Sequence, residues 1–245
     1  MTTSTVQVGR LGAPNTNPIE VRGLTKRFGA TVALDGLDLS LAGGQVVGLL
    51  GENGCGKTTL MKILVGVMAG WTGDVRVAGH VPGPEAKAHL AYLPDADYLP
   101  GGRPVRHSVD LYDDFFADFD RDKALDLIGY FGLDPHRTPR EMSKGMREKL
   151  QIALTLARDA QVVLLDEPIS GVDPTARDAI LSGVMRGLGD RSLVLIATHL
   201  VHDLEPLLDQ VVMMRHGRVL LTGQVDDLRA EHQLSIDHLF RKVYQ

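Results

Sequence analysis

Two hydrophobic rhythms run along this 245-residue chain. IEVRGLTKRF (Ile19 to Phe28) and VALDGLDLSL (Val32 to Leu41) alternate loosely between apolar and polar residues around a glycine-bearing turn. That pattern predicts antiparallel strands in a small sheet at the entrance of the chain. VVGLL (Val46 to Leu50) is instead a continuous apolar run, and the same signature returns in QVVLLDEP (Gln161 to Pro168) and SLVLIATH (Ser192 to His199). Runs of this kind predict strands buried on both faces, as in a parallel sheet covered by helices. TTLMKILVGV (Thr58 to Val67) predicts a helix after the first run, and Pro174 opens a second helix that Asp173 can cap. The fold class is therefore α/β with a mostly parallel sheet. Residues from about Ala91 to Ala157 are richer in aromatics and acids and mostly helical in period, which predicts an inserted helical lobe. VVMM and VLLTG flank RHGR as a hairpin, and a short closing helix is expected from about Gln224.

Composition narrows the partners. The net charge of -5 supplies no electrostatic attraction for nucleic acid or an anionic membrane surface. A lone cysteine, Cys55, has no partner within the chain and suits a reducing, cytoplasmic compartment. No apolar stretch reaches the roughly 18 residues expected of a spanning helix, so a membrane role has to come through a partner. Residues 1–18 carry one Arg and no apolar run, and are expected to be a flexible lead-in, not a signal peptide.

The chemistry begins at GENGCGKTTL, Gly51 to Leu60, which fits G-x-x-x-x-G-K-[ST]. Backbone amides of Gly51, Asn53, Gly54, Cys55 and Gly56 are placed to cradle phosphates, with Lys57 on the β and γ oxygens and Thr58 on Mg²⁺. Thr59 extends the helix N-terminus that favours anions. Cys55, beside that terminus, is expected to have a lowered pKa and to alkylate in a way that bound nucleotide blocks. VVLLDE puts Asp166 and Glu167 at the C-terminal edge of a buried strand, beside the phosphate crevice. Asp166 is expected to hold Mg²⁺ through water, and Glu167 to orient and deprotonate the attacking water.

Three more stretches stand in a fixed order around these. They are MSKGM at Met142 to Met146, SGVDP ending at Pro174, and ATH ending at His199. From Gly51 onward the chain resembles the ATP-binding subunit of an ABC transporter over almost its whole length, with MSKGM where that family has LSGGQ. The resemblance implies a P-loop NTPase core over residues 19–230, with the antiparallel subdomain, the helical lobe at 91–157 and a short tail at 231–245. It implies ATP and Mg²⁺ as cofactors and two cassettes closing head to tail over two ATP molecules. The second subunit forms a homodimer or heterodimer, separate membrane-spanning permease subunits are the other partners, and the location is peripheral on the inner face of the cell membrane.

The resemblance also assigns roles. Ser143 and Gly145, at the start of a helix whose apolar face is Met146, Leu150, Ala153, Leu154 and Ala157, bind the γ-phosphate held by the other subunit; capping by Ser143 is compatible with that. His199 contacts the γ-phosphate and helps to hold Glu167. Asp173 lies at the subunit seam, caps its helix, or does both. Phe28 stands where the family sets an aromatic ring against adenine, with core packing as the other reading. Lys144 and Met146 replace the Gly and Gln of the usual signature. In YLPD the family glutamine that senses Mg²⁺ becomes Asp95, expected either in the metal shell or as a solvent-facing loop acid. YLPD, DFD, SKGM and DPTARD are most similar to the YtrB-like and EcsA-like group of bacterial cassettes. Tyr92, Tyr98, Tyr112, Phe115 and Phe116 form either a permease-docking surface beside Asp95 or an aromatic core. The competing functions are a soluble ABC ATPase driving assembly or regulation, and a P-loop kinase, which leaves MSKGM and ATH unexplained.

Overall fold

The computed structural model describes residues 17–189 and 191–244. The expectation for residues 1–18 therefore falls almost entirely outside the described residues. Strands β1 (Ile19–Phe28) and β2 (Thr31–Leu41) pair antiparallel as their alternation predicts. A third strand, β4 (Trp71–Val77), joins on the other edge of β1, giving the order β2-β1-β4. Most of WTGDVRV is exposed, so this edge strand carries little hydrophobic signal.

The second sheet has six strands in the order β5-β6-β7-β3-β8-β9. They are β5 (Leu90–Leu93), β6 (Val162–Asp166), β7 (Leu193–Thr198), β3 (Gln45–Leu50), β8 (Gln210–Arg215) and β9 (Arg218–Gln224), parallel except for the β8/β9 hairpin. The continuous apolar runs follow from two cores separated by this sheet. Val47, Leu49, Leu164 and Leu195 pack toward the small sheet and α1 (Lys57–Leu64), while Val46, Leu50, Leu165 and Ile196 pack toward the helices on the other face.

The helical lobe begins later than about residue 91, because Ala91 to Leu93 belong to β5 and pair with β6. A single turn, α2 (Pro84–Lys87), precedes that strand. The lobe itself is built from α3 (Val105–Phe115), α4 (Arg121–Tyr130) and α5 (Lys144–Leu156). Leu150, Ala153, Leu154 and Ala157 are fully buried as the period of α5 predicts. The helix also buries Glu148, Gln151 and Thr155 on its remaining sides, so it is wrapped all round. Then follow α6 (Pro174–Gly187) and α7 (Val201–Leu204). The single closing helix is in fact two, α8 (Val225–His232) and α9 (Ile236–Tyr244), separated where Gln233 takes the left-handed conformation at φ 54°.

Candidate active site at the carboxyl edge of the sheet

The ends of β3, β6 and β7 converge on one crevice, the position where open α/β sheets bind ligands. After β3 the chain passes through Gly54 at φ 81° and Gly56 at φ 112°, conformations that favour glycine, and enters α1. A Cβ on Gly56 would lie 2.7 Å from the Ala33 carbonyl, so the small sheet presses directly on the loop. Asn53, Gly54, Gly56, Lys57, Thr58, Thr59, Asp95 and Glu167 line the cavity together with Ala33.

Lys57 is buried and donates to the carbonyls of Gly51 at 2.7 Å and Glu52 at 3.3 Å. Its Nζ lies 3.6 Å from Glu167 Oε1. Thr58 Oγ1 donates to Asp166 Oδ1 at 3.2 Å, whereas Asp166 Oδ2 is buried with no partner. Burial pushes the Asp166 carboxyl up to about 6; nearby Asp95 and Glu167 add to the rise, and the Thr58 hydrogen bond and Lys57 oppose it. An orphaned carboxylate oxygen beside a threonine hydroxyl is the sparse donor set of Mg²⁺, which keeps its waters and takes its other ligands from substrate phosphates. Among the described residues no three His, Cys, Asp or Glu side chains converge as an all-protein metal cage. The Tyr92 hydroxyl is also buried without a partner, and burial, reinforced by Asp166, raises its pKa. Tyr92 thus belongs with this crevice and not with the aromatic group.

Glu167 sits at φ 52°, strained for a non-glycine residue, and its N–H donates to the Ala197 carbonyl at 2.8 Å. Its carboxylate lies 3.0 and 3.1 Å from His199 Nδ1 and accepts from Thr198 Oγ1 at 3.1 Å. Sequence reading missed Thr198, whose signal was the middle letter of ATH. The carboxylate is therefore the meeting point of the β6 and β7 ends and of Lys57.

Ser143, Gly145 and Asp173 do not line the cavity. Ser143 caps α5 by accepting from Met146 N at 3.3 Å, and Asp173 caps α6 by accepting from Ala176 N at 3.0 Å. A Cβ on Gly145 would lie 3.1 Å from Val172, so the two helix starts are in contact. Lys144 completes the joint by donating to the Ser170 carbonyl at 3.1 Å, which gives this departure from the family signature a local function. These residues form a second surface of their own.

Phe28 is 49 % exposed, which rules out core packing, and the Lys26 ammonium lies 4.9 Å from its ring centroid. Cys55 is the clear correction. It is 6 % exposed, and burial raises its thiol pKa against the opposing effect of Lys57, the reverse of the lowered value expected.

Asp95 is exposed at the cavity rim, on a loop that leans on α5. Arg147 pairs with Asp97 at 2.8 Å, Gln151 donates to the Ala96 carbonyl at 3.4 Å, and Glu148 is buried nearby. Burial lifts Glu148 from 4.5 to about 7, with Asp97 and Asp95 adding to the rise and Lys144 and Arg147 opposing it. A carboxyl that binds its proton more tightly when folded loses stability as pH rises from the unfolded toward the folded value. Glu148→Gln is therefore expected to stabilise the chain by up to about 3 kcal/mol near pH 8 and by almost nothing below about pH 4. Urea melts at the two pH values check this, and equal gains at both would contradict it.

The ABC transporter family model matches residues 34–170. Daunorubicin resistance ATP-binding protein DrrA3 of Streptomyces coeruleorubidus is 35% identical over 221 residues, covering 87% of this chain and 70% of that protein. Nod factor export ATP-binding protein I of Ralstonia nicotianae is 31% identical over 234 residues, covering 92% and 73%. A solved ATP-binding subunit of an ABC transporter superposes with a TM-score of 0.82 at 26% identity, over 93% of this chain and 99% of that one. A crevice built around Lys57, Thr58, Asp166 and Glu167, on a fold shared with these relatives, makes this chain a member of the ABC transporter family, an ATP-binding subunit that hydrolyses ATP.

Proposed function

We propose that the chain powers transport by closing head to tail with a second cassette over two Mg-ATP, each phosphate loop facing the other subunit's Ser143 and Gly145. The observation that carries this reading is the separation of the two surfaces. The cavity holds Lys57, Thr58 and Glu167, whereas Ser143 and Gly145, at a helix start able to bind anions, are not among the residues that line it. Within one chain each is half of a site. In this reading Asp166 and Thr58 hold Mg²⁺, Asp95 joins its water shell, Phe28 stacks on adenine, and Asp173 lies at the seam. Glu167 takes the proton of the attacking water, and His199 and Thr198 hold its carboxylate in line. Mg²⁺, when bound, neutralises charge developing on the transferred phosphoryl.

The partner in the membrane would be a permease docking on the helical lobe, which holds the chain peripherally at the inner face. No described helix is long and apolar enough to cross a membrane itself. Support comes from Phe115, 74 % exposed beside a groove lined by Pro84, Lys87, Phe116, Asp118 and Arg158. Tyr112 is engaged within the lobe, packing on Phe116 and Phe119 at 5.3 and 5.5 Å and hydrogen-bonding Tyr98 at 2.8 Å. If catalysis needs two chains, the specific ATPase activity of the isolated protein rises with its own concentration and saturates. A specific activity constant over a hundredfold dilution range would argue for a complete site in one chain.

A further inference from the structure

Helix α9 reaches from the segment that follows His199 to the underside of the phosphate loop. At its start, the N–H groups of Ile236 and Asp237 donate to Glu205 Oε1 and Oε2 at 2.9 and 3.1 Å. Glu205 lies in the turn directly after α7 and is itself fixed by Arg229 at 2.7 Å. Ile236 and Leu239 are buried in the core, so the helix is anchored along its length. At its other end the Tyr244 hydroxyl donates to the Met214 carbonyl and lies 3.5 Å from the Leu50 carbonyl, the last residue of β3. The ring packs tilted against Phe240 at 4.3 Å and sits under the Arg215 guanidinium at 5.8 Å. A Cβ on Gly51 would collide with Cys55 Sγ and lie 2.7 Å from the Met214 carbonyl and 3.3 Å from Tyr244 Oη. The same layer is closed from the hairpin, where Gly217 N–H donates to the Cys55 carbonyl at 3.0 Å. Gly51, Cys55, Met214 and Tyr244 thus form one packed floor.

We propose that Tyr244 is a positioning residue for the phosphate loop, and that α9 braces this loop against the segment carrying His199. Tyr244 touches no nucleotide in this arrangement. It acts through the carbonyls at the β3 and β8 ends, which fix where the loop leaves the sheet, and through the packing around Gly51 that it shares with Cys55. The proposal rests on the crevice being the ATP site and adds a residue that none of the family motifs contains.

The test uses the full chain, Tyr244→Ala and Tyr244→Phe, and two readouts. Cys55 is the only cysteine, so its alkylation by a maleimide without nucleotide reports the floor directly. Tyr244→Ala is expected to label roughly tenfold faster than wild type by opening the floor locally. Its ATP dissociation constant is expected to rise roughly tenfold, with kcat at saturating ATP nearly unchanged. Tyr244→Phe keeps the ring and the fold and is expected to show about a threefold loss of affinity from the missing hydroxyl alone. Wild-type labelling and wild-type affinity in Tyr244→Ala would overturn the proposal, even with a lowered melting temperature, because the residue would then only pack. Faster labelling with unchanged affinity would overturn the positioning role as well. Should Tyr244→Ala fail to fold, Tyr244→Phe decides: wild-type affinity there overturns the role of the hydroxyl. Failure of the wild-type chain to bind ATP would sink the site reading alone, since the labelling comparison needs no nucleotide.

Discussion

Glu167→Gln is expected to bind ATP as tightly as wild type while losing roughly 10²- to 10⁴-fold in hydrolysis, the range for removal of a general base. The carboxylate lies between Lys57 Nζ at 3.6 Å and His199 Nδ1 at 3.0 Å, with Thr198 donating to it at 3.1 Å. An amide of the same shape can keep an acceptor oxygen for Thr198 and leaves Lys57 free for phosphate, but it cannot take a proton from water. Binding and turnover therefore separate. Titration with a fluorescent ATP analogue and a phosphate-release assay read the two quantities, and hydrolysis at the wild-type rate would remove Glu167 from the role of base.

Lys57→Ala is expected to fail earlier, at binding, with ATP affinity lower by roughly 10²- to 10³-fold, the cost of losing charge-assisted contacts to phosphate in a desolvated site. The unliganded chain should also be less stable. Truncation leaves the Gly51 and Glu52 carbonyls without their donor and Glu167 without its nearby cation, in a place where none is well solvated. Calorimetric titration gives the affinity and a thermal melt gives the second effect. Unchanged affinity would mean that the loop does not cradle phosphate.

Burial on both faces explains why so much was legible. Strands β3, β6 and β7 announce themselves because the sheet divides two cores, and chemistry placed at the end of a buried strand inherits that clarity, as Asp166 and Glu167 do. Local signals also sufficed for the caps, since Ser143 and Asp173 each satisfy an N–H three residues on. What escaped was set by neighbours distant in sequence. Cys55 reads as a reactive thiol from its place beside a helix start, but it is buried, its sulfur packed beside Gly51 in a layer that Met214 and the far Tyr244 also reach. β4 is an exposed edge whose partner lies about 50 residues earlier, so neither period nor apolarity marks it. Glu148 looks like a surface acid on α5 and is nevertheless buried, with Asp95 and Asp97 of a loop about 50 residues earlier near enough to raise its pKa further. Lys144 departs from the family signature, yet its bond to the Ser170 carbonyl ties together the two helix starts that the proposed pairing uses.

The most direct measurement of that pairing is the solution mass of Glu167→Gln by light scattering, with and without Mg-ATP. A single chain is expected without nucleotide and twice that mass with Mg-ATP, because intact phosphate contacts hold two half-sites closed when hydrolysis cannot release them. A variant that binds Mg-ATP and keeps the mass of one chain at every concentration would contradict it.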